Sequence, residues 1–70
     1  MKFDGAKLRE ARDKRGMTRA ELAVAAGVGF NTVGRAERGE VDVGVSTIAV
    51  FAGILEINPG ELFTENGASA

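Results

Sequence analysis

The chain has 70 residues with no cysteine and no histidine, a net charge of −1 and 44% hydrophobic residues. That length supports one domain at most, and a core this small needs tight helix packing or a partner. Composition excludes disulfides, a typical zinc site and histidine acid–base chemistry. The lack of cysteine fits a reducing compartment. No apolar run is long enough to span a membrane, and the N-terminus has no signal-peptide core. A soluble intracellular protein is expected.

Net charge conceals a marked asymmetry. All nine basic residues lie within positions 1–38, against five acidic ones, a balance of +4. Positions 39–70 carry five acidic residues and no base, a balance of −5. Such a division suggests that one half meets a polyanion. It equally describes a solvated helix surface followed by an acidic tail.

The first predicted element is a helix over 5–15, with Asp4 as N-cap and Gly16 as stop. Leu8, Ala11 and Arg15 share a face, with Arg12 beside them. The stretch MTRAEL, Met17 to Leu22, opens a second helix. Thr18 and Glu21 form a capping box, and Met17 with Leu22 has the spacing of a hydrophobic staple. This helix runs to Ala26, and Gly27 ends it. Leu22, Ala23 and Ala26 form its small apolar face.

A third helix spans 30–38, within the run GVGFNTVGRAERG. Val28 and Val33 keep staple spacing, but Gly29 cannot cap. On a helical wheel Val33 and Ala36 face inward, flanked by Thr32 and Glu37. Phe30, Asn31, Gly34 and Arg35 face outward. Residues 40–44 form a loop or a short extended piece. The run VSTIAVFAGIL, 45–55, suits a strand by propensity but repeats at helical spacing through Val45, Ile48, Ala52 and Leu55, so a helix is preferred. Val50 and Ile54 fall on its opposite side. Asn58, Pro59 and Glu61 start a last short helix. The expected domain covers 1–66, and a disordered tail covers 67–70.

These elements resemble the helix-turn-helix of the phage repressor and Cro-type (XRE) family. The residues that carry the likeness are Leu8 and Arg12, the Gly16-Met17-Thr18 turn, and Glu21-Leu22-Ala23. With them go Ala26-Gly27-Val28, Val33, Glu37-Arg38-Gly39 and Glu61-Leu62-Phe63. The resemblance covers about residues 5–63. It implies an all-α, five-helix, lambda-repressor-like domain whose second and third helices bind double-stranded DNA, the third in the major groove.

Carried over residue by residue, the resemblance puts Phe30, Asn31 and Arg35 at base-reading positions, with Gly34 between them. Asn31 suits adenine, Arg35 guanine and Phe30 a thymine methyl. Each also has a plainer role: phosphate contact for Arg35, a local or phosphate bond for Asn31, packing for Phe30. Thr18, Arg19, Thr32 and Arg38 are the candidate phosphate contacts, helped by the helix-two N-terminus. The family commonly has Gln at position 19, so Arg19 is a departure that strengthens salt dependence. Arg12 and Glu37 match the family's ion pair between helices one and three. Glu40 and Asp42 stand in a loop where the family often carries bases.

Val50 and Ile54, with Val41 and Val43, suggest an apolar patch for a homodimer or a protein partner. The resemblance implies a repressor or Cro-like regulator of a bacterium or its phage, acting in the cytoplasm on a palindromic operator. The alternative is an antitoxin or protein-binding adaptor on the same fold. No cofactor or metal is expected. Nor is an enzyme: no nucleophile–base pair, phosphate loop or metal cluster can be assembled from these residues.

Overall fold

The computed structural model describes residues 2–64. The tail expected over 67–70 lies outside them. The described residues form four α-helices: α1 (Gly5–Lys14), α2 (Arg19–Ala26), α3 (Phe30–Glu37) and α4 (Val45–Leu55). A 3-10 turn (Pro59–Leu62) and two short strands, β1 (Lys2–Phe3) and β2 (Phe63–Thr64), complete the fold. The class is all-α, as the periodicities require.

Local chemistry sets the helix starts. Asp4 caps α1 by accepting from the Ala6 amide at 2.9 Å. The Thr18 hydroxyl accepts from the Glu21 amide at 3.0 Å, and the Glu21 carboxylate accepts from the Thr18 amide at 2.8 Å, a complete capping box. α3 and α4 begin at Gly29 and Gly44 without a side-chain cap. Packing, not capping, must hold these two helices in place.

Helix ends share one geometry. In each of the four described α-helices the chain closes with a 6→1 backbone bond onto the final turn: Met17 to Arg12, Val28 to Ala23, Glu40 to Arg35 and Ile57 to Ala52, at 2.9–3.1 Å. This is the Schellman arrangement. Met17, Val28 and Ile57 then pack against the core, as the motif favours. At the end of α3 the equivalent residue is the exposed, charged Glu40.

Leu8, Leu22, Ala23, Val33, Ala36, Ile48, Phe51, Ala52, Leu55 and Leu62 form the buried core. α2 packs on both α3 and α4, while α1 packs on α3 and the 3-10 turn. Gly5 is the tightest point of that assembly. A Cβ there would overlap the backbone carbonyls of Ala36 and Glu37, so α1 starts directly against the end of α3.

Four expectations need correction. The helix started by Asn58 is a single 3-10 turn, because Phe63 leaves it at once to pair in a sheet. That sheet, with Lys2 opposite Thr64 and Phe3 opposite Phe63, did not feature in the sequence reading. The two phenylalanine rings meet edge to face at 6.4 Å. Arg15 leaves the inner face of α1 and reaches Glu56 on the surface at 3.3 Å. Ile54 is half-buried against the core rather than facing outward, whereas Val50 is 43% exposed.

Candidate nucleic-acid interface

α2 and α3 meet across a turn in which Gly27 adopts φ 72°. A side chain is strained in that left-handed conformation, and the sharp reversal angles the two helices against each other. Val28 and Val33 then anchor the start of α3 in the core region. These anchors fix which face of α3 meets solvent.

Asn31 and Arg35 are exposed on that face. Phe30 stands at its edge, 58% exposed, and borders a shallow depression with Met17, Thr18, Arg19 and Ala20. Thr32 is half-buried on the flank, toward the start of the helix. Thr18 is exposed, and its oxygen already serves as the α2 cap.

Gly34 differs from the outward-facing position expected of it. It is buried, and what covers it is side chain. A Cβ at Gly34 would lie 3.2 Å from Arg38 Nη1 and 3.9 Å from Arg19 Cδ. The missing side chain is therefore filled by two arginines. The wheel missed this because it treats each helix alone, and both covering residues lie outside α3.

Arg12 and Glu37 form the structural centre behind this face. Their side chains are only 8% and 3% exposed. Arg12 Nε donates to Glu37 Oε2 at 2.6 Å, and Nη2 to Oε1 at 3.2 Å. Arg12 Nη1 donates to the Met17 carbonyl at 2.7 Å. The guanidinium thus joins α1, the α1–α2 turn and α3. Its burial leaves it little reach toward a ligand. Among the described residues every buried side-chain polar atom has a partner.

Two candidate phosphate contacts carry internal partners that sequence spacing did not disclose. Arg19 Nε lies 3.3 Å from Glu37 Oε1, so Glu37 holds two arginines. Arg38 Nε donates to Glu40 Oε2 at 2.6 Å. That bond, with the nearby positive charges of Arg38 and Arg35, keeps the Glu40 carboxyl below the usual carboxylate range. The loop acid that stands where the family often carries bases thus sits in an ion pair.

A helix-turn-helix family model matches residues 8–62. The chain belongs to the phage repressor and Cro-type (XRE) helix-turn-helix family. Comparison with curated proteins returns no match. Solved structures supply relatives. The restriction-modification controller protein C.AhdI from Aeromonas hydrophila is 39% identical, with a TM-score of 0.81 over 84% of this chain and 89% of that one. The clp gene regulator ClgR from Corynebacterium glutamicum is 31% identical, with a TM-score of 0.82 over 93% and 69%. The P22 c2 repressor, solved with a synthetic operator, shares the fold at 22% identity, with a TM-score of 0.82 over 91% and 97%.

Two surface valines, one on α2 and one on α4, were not among the residues expected to face solvent. Val24 is 82% exposed on α2, beside Ala20, Glu21 and Ala25. Val45 opens α4 in an equally exposed position. Helical spacing groups Val45 with Ile48, Ala52 and Leu55, and it leaves Val24 outside the apolar face of α2. No helix among the described residues is long and apolar enough to cross a membrane.

Proposed function

We propose that this chain is a sequence-specific transcriptional regulator that reads the major groove of duplex DNA with α3, most directly as a repressor. The observation that carries the reading is the exposed face of α3. It presents an amide and a guanidinium, Asn31 and Arg35, one helical turn apart with Phe30 beside them. These groups match adenine, guanine and a thymine methyl in the major groove. The relatives support it: a restriction-modification controller and a gene regulator share 31–39% of the sequence. The basic half of the chain supplies α1 to α3, and the acidic half starts after them.

In this reading Arg19 leaves its exposed contact with Glu37 for a phosphate at the start of α2. Helix N-termini favour anions, so Thr18 and the first amides of α2 add to the same contact. Thr32 sits at the flank where a second phosphate passes. An electrophoretic mobility-shift titration tests this. Wild type binds duplex DNA with affinity that falls steeply with salt, and Arg19→Ala lowers the log–log slope by about 1. Absence of binding to any duplex at low salt contradicts the reading.

The chain acts as a two-fold dimer through α4 and its flanks. Support comes from exposed Val45 and Val50, with half-buried Val41, Val43 and Ile54 near them. A dimer of this kind sets two α3 helices about 34 Å apart, one turn of DNA. Val50→Glu shifts the sedimentation coefficient of the DNA-free protein to that of a monomer. An unchanged coefficient sinks the dimer.

A further inference from the structure

A residue just past the end of a recognition helix ordinarily lies at the DNA backbone, and Arg38 has that sequence position. Its guanidinium does not stay there. It folds back along α3 so that Nη1 lies over Gly34, one helical turn earlier, where any side chain would crowd it. This is the strip that begins at Phe30, since 30, 34 and 38 repeat at helical spacing.

Glu40 holds the guanidinium in that place. Its backbone amide donates to the Arg35 carbonyl at 2.9 Å, which fixes the residue against the last turn of α3. Gly39, at φ 73°, makes the closure possible. The Glu40 carboxylate then takes one edge of the guanidinium: Nε at 2.6 Å and Nη2 at 3.5 Å. At the other three α-helix ends the equivalent residue is apolar and packs inward. Here it is a carboxylate that grips an arginine.

Arginine has five N–H donors in a rigid fork. With the Nε edge engaged, the Nη1–Nη2 end stays available, and Nη1 makes no hydrogen bond among the described residues. That end is the two-donor edge that matches O6 and N7 of guanine. Charge points the same way. Arg38 and Glu40 together are neutral, so the pair adds little to non-specific attraction for phosphates.

We propose that Arg38, seated over Gly34 and oriented by Glu40, is a second base-reading guanidinium of this interface and recognises a guanine separate from that of Arg35. The claim rests on the DNA-binding reading above. Arg38 makes the contact, and Glu40 is a positioning residue.

Fluorescence anisotropy against the preferred duplex and a panel with every single base pair changed tests it. Arg38→Ala loses discrimination at one G·C pair by about 10- to 100-fold, and Arg38→Ala/Glu40→Gln, which keeps the net charge of the pair, loses it with a salt slope near that of wild type. Arg35→Ala relaxes a different pair. Glu40→Gln relaxes the Arg38 pair, and with its added net positive charge it binds non-cognate DNA more tightly with a steeper slope. Gly34→Ala, which displaces the guanidinium, relaxes the same pair. Thermal melts followed by circular dichroism establish that each variant is folded.

Three results overturn the proposal. Arg38→Ala/Glu40→Gln weakens all duplexes alike with base preference unchanged, as loss of a phosphate contact does. Glu40→Gln strengthens binding with base preference unchanged, which makes Glu40 a competitor of phosphate. Arg38→Ala leaves both affinity and preference intact. Wild type that discriminates among no duplexes overturns the DNA-binding reading itself, which separates the two failures.

Discussion

At the scale of single residues, the Arg12–Glu37 pair makes the sharpest statement about stability. Both side chains are more than nine-tenths buried, and removal of Arg12 leaves a carboxylate with only the half-exposed Arg19. Stranded buried charges cost about 3–5 kcal/mol. Arg12→Ala is expected at the low end, about 3 kcal/mol in urea denaturation, because Arg19 remains. A loss below about 1 kcal/mol shows that Arg19 and water suffice for Glu37. Asp4 gives a pH signature. Its pKa is lowered from the ordinary 3.8, first by the hydrogen bond that the Thr64 hydroxyl donates at 2.5 Å. A depressed carboxyl stabilises the fold fully above its unfolded pKa and loses that contribution as pH falls through the lower folded value. Stability should therefore decline below about pH 4, and Thr64→Val should raise the Asp4 pKa in an NMR titration. An unmoved Asp4 titration would remove Thr64 as its main partner. Single-residue roles were legible where two residues belong to a local motif, as in the Thr18–Glu21 box. They were not legible for Gly34, whose environment is made by Arg19 and Arg38 from outside its helix.

At the scale of elements, glycine and capping residues gave the helix limits, because those signals are local. α1, α2 and α3 end within one residue of expectation. The two-residue strands were invisible. They have no period to detect, and their pairing joins Lys2 to Thr64 across nearly the whole chain. The meeting of α1 with α3 at Gly5 was hidden for the same reason. Gly5→Ala should cost about 1–3 kcal/mol, since the overlapping atoms are backbone carbonyls that can move only with α3. Gly34→Ala should do the opposite. Its Cβ meets the flexible end of Arg38, and alanine favours the helix by about 1 kcal/mol. Thermal melts of the two variants should therefore shift in opposite directions. A shared direction would contradict the packing described at one of the two sites.

Across the whole molecule, charge division proved a better guide than net charge. The basic half builds α1 to α3, and the acidic half starts at the end of α3, where Glu40 pairs with Arg38. Family membership was legible because its markers are spread over nearly the full chain at fixed spacings, and a matching model covers residues 8–62. Partner surfaces were legible in part: Val50 was expected to face outward and is 43% exposed, whereas Val45, grouped with the inward repeat, is 81% exposed. In the proposed function α3 reads duplex DNA as one of a symmetric pair. Selection of bound duplexes from a random pool by the wild-type chain tests it most directly. The expected result is enrichment of two inverted half-sites about 10 base pairs apart, each containing an A·T pair and a G·C pair that face Asn31 and Arg35. A bound pool with the same composition as the input would contradict it.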